Sequence, residues 1–148
     1  MHKIMIVDDE ENILKALTRT LRMEPTWEVE CYSNGHDALK RARSSIFDAV
    51  ISDCNMPDFS GIEFLTELRE LQPDACRILL TGMVNIDTLM KAINQAGAFR
   101  FFTKPWDDSM LMEGIREGLQ YHDMIVENRM LAQKVRDQQI ELEKYYNA

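Results

Sequence analysis

The chain has 148 residues, 45% of them hydrophobic, and a formal charge of -8; that supports one cored domain with an appendage and speaks against nucleic acid as a direct partner, the densest basic stretch, Lys40-Arg41-Ala42-Arg43, reading as the solvated end of a helix. No run approaches the roughly 18 apolar residues of a membrane span, and the N-terminus turns acidic at Asp8, so no secretory signal is read and a cytoplasmic location is expected. Cys31, Cys54 and Cys76 are odd in number and widely spaced, which fits free thiols in a reducing compartment and neither a disulfide framework nor a metal cluster.

In chain order, a strand is predicted over Lys3 to Val7, ending in the carboxylates Asp8 and Asp9. Ile13, Leu14, Leu17 and Leu21 then form a helical stripe. A second strand spans Trp27 to Tyr32, Asn34-Gly35 marks a turn, and Ala38, Leu39 and Ala42 make a shorter stripe. The third strand, Phe47 to Ser52, runs into Asp53 and a turn-rich segment, Cys54 to Gly61, in which Pro57 and Gly61 bracket a loop. Ile62, Leu65, Leu68 and Leu71 make the next helix, stopped at Gln72-Pro73. The fourth strand, Arg77 to Leu80, ends in Thr81. Ile86, Leu89, Met90 and Ile93 form a fourth stripe, with Gly97 placed as a C-cap. The fifth strand, Phe99 to Thr103, ends in Lys104-Pro105. Strands alternating with helices read as βαβ units, hence a parallel sheet covered on both faces.

From about Asp108 the pattern stays helical, with no Pro and no Gly after Gly118. A seven-residue repeat starts at Tyr121. Tyr121, Asn128, Val135 and Leu142 fall on a sites, and Met124, Leu131, Gln138 and Tyr145 on d sites, of a coiled coil. The polar Asn128 and Gln138 interrupt the seam, and an a-site Asn favours a two-stranded, in-register pairing. The other reading is one amphipathic helix folded back on the domain. The repeat is still running at Ala148, so a longer protein is expected to continue.

Four strands that end in an acid, a hydroxyl or an ammonium point to one polar site at the carboxyl edge of the sheet. Singly, Asp8 and Asp9 read as helix-capping acids, and Thr81 equally as an ordinary β-branched residue. Together, three carboxylates at neighbouring strand ends repel one another unless a cation offsets them. Mg²⁺ suits such oxygen ligands, and Lys104 supplies an ammonium. A carboxylate so placed can act as a nucleophile and form an aspartyl phosphate.

The segments Ile4 to Glu10, Asp53 to Gly61, Leu79-Leu80-Thr81-Gly82 and Phe101 to Pro105 resemble, in order and spacing, the receiver domain of two-component response regulators over residues 1–120. The resemblance implies a flavodoxin-like α/β fold, a doubly wound five-stranded parallel sheet of order 2-1-3-4-5, followed by an extended C-terminal helix over 121–148 that leads to an output domain beyond the chain. It implies that Asp53 is the phosphoacceptor, charged by a sensor histidine kinase or phosphotransfer protein. Asp8, Asp9, Asp53 and the backbone carbonyl of Asn55 would hold Mg²⁺. Thr81 and Phe101 would be the switch pair, Lys104 would contact the phosphoryl group, and Lys104-Pro105 would be cis. Asn55 and Met83 would flank the phosphoryl group and influence its lifetime. A homodimer through the C-terminal helix is expected, with its pairing altered by the phosphoryl signal.

The chain departs from the family pattern in Gly82-Met83, where small residues such as Ala are usual, and in Phe101, where Tyr is frequent. Phe101 therefore also reads as a core strand aromatic. Two alternatives stand beside the switch: a Mg²⁺-dependent phosphohydrolase with an Asp nucleophile, disfavoured because such enzymes usually carry the nucleophile on the first strand with an acid two residues on, and a phosphorylation-independent dimerisation module. On the leading reading the chain is no metabolic enzyme and assists only its own phosphorylation and dephosphorylation. The segment Phe99 to Trp106 with its long following helix is similar to receivers joined to cyclic-di-GMP phosphodiesterase domains or transcriptional activators. His2, His36 and His122 read as surface or structural residues, and Trp106 as an interface aromatic or an anchor for the last helix.

Overall fold

A computed structural model describes residues 1–82 and 85–147, apart from the side chains of Thr88 and Ala92. Successive strand residues point to opposite faces, and that alternation divides the core in two. On one face Met5, Val7, Val50 and Leu79 meet Ala38, Leu39, Phe64, Leu65 and Leu68. On the other, Ile4, Ile6, Ile51, Ile78 and Leu80 meet Leu14, Leu17, Leu21, Leu111, Ile115 and Leu119. The elements are β1 (His2–Val7), α1 (Glu11–Leu21), β2 (Trp27–Tyr32), α2 (Gly35–Ala42), β3 (Ala49–Asp53), α3 (Gly61–Leu71), β4 (Cys76–Thr81), α4 (Ile86–Gln95), β5 (Arg100–Thr103) and α5 (Asp108–Tyr146). The five strands form one parallel sheet of order β2-β1-β3-β4-β5, the flavodoxin-like arrangement expected.

The helix starts follow from capping side chains. Asn34 accepts the Asp37 N–H, Ser60 the Glu63 N–H and Asp107 the Met110 N–H, each satisfying a donor that the first helical turn leaves unpaired. Gly97 takes φ +61° just past α4, a left-handed conformation that glycine adopts without a Cβ penalty. Strand limits differ from the sequence reading by one or two residues. Phe47 is not in β3, because its N–H goes to the side chain of Gln72 and pairing proper begins at Ala49. Likewise β5 begins at Arg100 and β4 one residue earlier, at Cys76.

One helix departs from expectation and one follows it. The stripe on α4 is not a core face: Ile86, Met90 and Ile93 are exposed, because α4 lies beside α3 towards the edge of the molecule. Helix α5 is 39 residues long. It buries Leu111, Met112, Ile115, Leu119 and His122 against the sheet, and residues 127–147 are exposed. The arm does not fold back on the domain.

Candidate functional site

Register assembles the site. Val7 pairs with Ser52 across β1 and β3, and Asp53 with Leu80 across β3 and β4. The next residue after β1, Asp8, therefore lies beside Asp53. Thr81 pairs with Thr103 at the ends of β4 and β5, and the Lys104 N–H donates to the Thr81 carbonyl. The carboxyl ends of four strands thus deliver Asp8, Asp53, Thr81 and Lys104 to one spot. Gly61 is required nearby. Its N–H donates to Cys54 O, and a Cβ there would run into the Asp53 backbone carbonyl.

Asp8 is fully buried, Asp53 is 4% exposed and Thr81 1%. The Lys104 ammonium donates to Asp8 Oδ2 at 2.8 Å and lies 3.2 Å from Asp53 Oδ1. Asp8 Oδ1 accepts the Glu10 N–H at 2.9 Å, so the capping role and the site role coexist in one side chain. Burial, and then the neighbouring Asp8, push the Asp53 carboxyl up to about 6, against the opposing pull of Lys104 and the Asn55 N–H. For Lys104, burial works against the charge, but the hydrogen bond to Asp8 and the two carboxylates win and raise its pKa.

A test of the metal reading lies in the donor set. Asp8, Asp9 and Asp53 each place a carboxylate oxygen within 4.8 Å of the others, Asp9 from an exposed position. Hard oxygen donors of this kind, with one side open to solvent, fit Mg²⁺ with retained waters. The ammonium of Lys104 offsets part of the repulsion among the same acids. Phe101 is 39% exposed on the edge strand, an outward-facing aromatic and not a core one. Lys104-Pro105 is cis. Met83 lies outside the described residues. Trp106 is half-buried against the α1/α5 core cluster, and its indole N–H donates to Asp108 Oδ1, which also accepts from Thr20 Oγ1 on α1. It is an anchor for the start of α5.

The structure adds residues that no motif marked. Gln72 is buried, accepts the Phe47 N–H and donates to the Ala42 and Ser45 carbonyls. His122 is buried at the opposite edge of the sheet. Isolated polar residues in helical runs carry no motif.

Fold and site together define a doubly wound α/β domain with an acidic pocket at the carboxyl edge of its sheet, and comparison with known proteins gives its family. The family model described as the response regulator receiver domain matches residues 4–116, and the chain belongs to that family. It is 37% identical over 119 residues to the hydrogenase transcriptional regulatory protein HoxA of Bradyrhizobium diazoefficiens, covering 80% of this chain and 24% of that protein. The signal receiver domain of an HD domain-containing protein from Pseudomonas fluorescens Pf-5 superimposes with a TM-score of 0.80 at 32% identity, over 83% of this chain and 98% of the other. A chain named adenylate cyclase from Rhodopirellula baltica gives 0.83 at 30% identity, over 90% and 98%. The chain spans only about a quarter of the length of the first curated relatives it matches. Among the described residues no helix is long and apolar enough to cross a membrane.

Proposed function

We propose that the chain is a phosphorylation-dependent signalling switch that accepts a phosphoryl group on Asp53. The observation that carries this is the buried Asp53 held 3.2 Å from the Lys104 ammonium with Asp8 and Asp9 beside it. An Asp53 oxygen attacks phosphorus, the bond from phosphorus to the donor's leaving atom breaks with its electrons going to the leaving group, and an acyl phosphate forms. Asp8, Asp9, Asp53 and the Asn55 carbonyl would hold Mg²⁺, whose chemistry when bound is to neutralise charge on the phosphoryl oxygens. Lys104 turns from the carboxylates to the phosphoryl group, and Thr81 offers its hydroxyl. The chain assists only this step and its reversal by water.

The donor is a sensor histidine kinase or a phosphotransfer protein. A groove of 590 Å³ beside the site, lined by Glu10, Ile13, Arg19, Lys104 and Trp106 among others, gives such a partner both charge and apolar surface to dock on. The added charge of about −1.5 to −2 draws Thr81 inward and leaves room for Phe101 to turn in, which repacks the face of α4, β5 and α5. The signal then reaches the arm, its pairing with a second copy, and a covalently linked output. The names of similar proteins, a transcriptional regulatory protein and an HD domain-containing protein, support an output of one of those kinds. Incubation with Mg²⁺ and a small acyl-phosphate donor tests the reading. We expect one stable phosphoryl group per chain, seen as a mass increase, and none in Asp53→Asn. Continuous phosphate release from many substrates would instead favour a phosphohydrolase.

A further inference from the structure

Helix α5 leaves the domain at the sheet edge opposite Asp53, and one residue ties it there. The His122 side chain is only 7% exposed. Its Nδ1 lies 2.6 Å from the Asp74 backbone carbonyl, and its Nε2 lies 2.9 Å from Asp48 Oδ1. A carbonyl and a carboxylate oxygen only accept, so a ring that bonds both carries a proton on each nitrogen and a positive charge. Asp48 immediately precedes β3 and Asp74 lies two residues before β4. These are the strands whose other ends carry Asp53 and Thr81.

The groove beside this ring also holds Glu127 and Lys134 of the arm, and Arg69 of α3 lines the groove on its other side; the remaining charged neighbours are engaged. The other oxygen of Asp48, Oδ2, accepts the Lys3 N–H from β1 at 2.7 Å, and the Lys3 ammonium is directed to Ser45 and Glu30. The Asp74 carboxylate takes Arg129 of the arm at 2.6 Å, and Asp123 of the arm takes His2 of β1 at 2.9 Å. On β4 the Cys76 thiol is pushed up to about 12 by burial and stays neutral, while Arg77 spends its donors on the carbonyls of Pro73, Ala75, Ala96 and Gly97. Asp48 is the acid in direct contact with the ring, placed to balance an imidazolium there.

We propose that His122 is a proton-dependent latch for the arm. With both nitrogens protonated it fastens α5 to the amino ends of β3 and β4. Once one proton leaves, one of the two oxygens faces a lone pair, that bond is lost, and α5 beyond Leu119 keeps the more exposed Arg129–Asp74 and His2–Asp123 pairs and the Phe99–Tyr121 ring stack. The latch therefore closes as pH falls and opens as it rises, and it couples the arm to the strands of the phosphoacceptor from the far side of the sheet.

The test is amide hydrogen exchange on the 148-residue chain, compared at matched intrinsic rates across the range in which an imidazole titrates (around pH 6.5), with ring ¹⁵N shifts of His122 read alongside. The expected result is a ring protonated on both nitrogens at the acid end. Amides of residues 120–130 should exchange about tenfold faster at the alkaline end, as loss of one charged hydrogen bond implies, while those of β1 and β3 stay unchanged. In His122→Gln, which carries no titrating proton, the arm should exchange fast at every pH. Asp48→Asn, which keeps one acceptor for the Lys3 N–H and removes the charge facing the ring, should show a weaker pH response. A His122 ring with a single proton throughout, or arm protection equal in wild type and His122→Gln, overturns the proposal. Neither outcome bears on whether Asp53 takes up a phosphoryl group.

Discussion

At the scale of single residues, Asp53 combines two opposed demands. In the proposed role it would have to be buried enough to exclude water from an acyl phosphate and ionised to attack. Burial and Asp8 carry its pKa from 3.8 up to about 6. The folded chain therefore binds this proton more tightly than the unfolded chain, and the resulting stability is complete below about pH 4 and lost as pH rises through about 6. At neutral pH the ionised side chain weighs against folding by on the order of 2 kcal/mol. In chelator, melting curves should show wild type losing stability across that window relative to Asp53→Asn, and the variant should be the more stable at neutral pH. Added Mg²⁺ should raise the wild-type midpoint and leave the variant nearly unmoved. Superimposable pH profiles for the two proteins would show that Asp53 carries no such strain.

At the scale of elements, the contribution of local sequence is uneven. The strand ends were legible because a parallel strand reads as an apolar run and its first polar residue marks where it leaves the core, so Asp8, Asp53, Thr81 and Lys104 could be set side by side before any coordinates. Pairing register then did what was expected. The stripe on α4 was legible as a helix but misleading as a core, since periodicity reports one apolar face and not what covers it; Ile86 is 75% exposed. Phe101 kept two readings because an edge strand has no partner to decide which way an aromatic turns. Gln72 was legible only as the end of α3. Its amide in fact holds the α2–β3 connection by three hydrogen bonds, to Phe47 N, Ala42 O and Ser45 O, at 2.7 to 2.9 Å. Gln72→Ala leaves these buried backbone groups unpaired, each costing about 1–3 kcal/mol where water does not reach. We expect about 3 kcal/mol lost in urea titration with an unchanged m-value, whereas a loss under 1 kcal/mol would show that water takes over the amide's role.

At the scale of the whole molecule, the question is how a domain with its chemistry at one edge speaks through a helix that leaves at the other. Helix α5 presents two faces. Leu111, Ile115, Leu119 and His122 pack on the sheet, while Met124 lies two residues on from His122, about 200° around the helix axis, and starts an exposed row with Leu131, Val135 and Leu142. The proposed dimer seam would therefore begin while the helix is still docked, and a change at the domain would reach it without a flexible joint. Exposed apolar residues at seven-residue spacing bury little in one chain and much in two. The midpoint of thermal unfolding should accordingly rise with chain concentration, because association draws the equilibrium towards the folded, paired state. Leu131→Asp puts a charge at the middle of the seam and should give a monomer in sedimentation whose domain melts at the dilute wild-type temperature. Asn128→Leu should act in the other direction, strengthening association while admitting more than one oligomer size, because the seam amide that would favour two strands is gone. A wild-type chain that sediments as a monomer at every concentration, before and after phosphorylation, would leave the exposed row without a partner copy and assign it to the output.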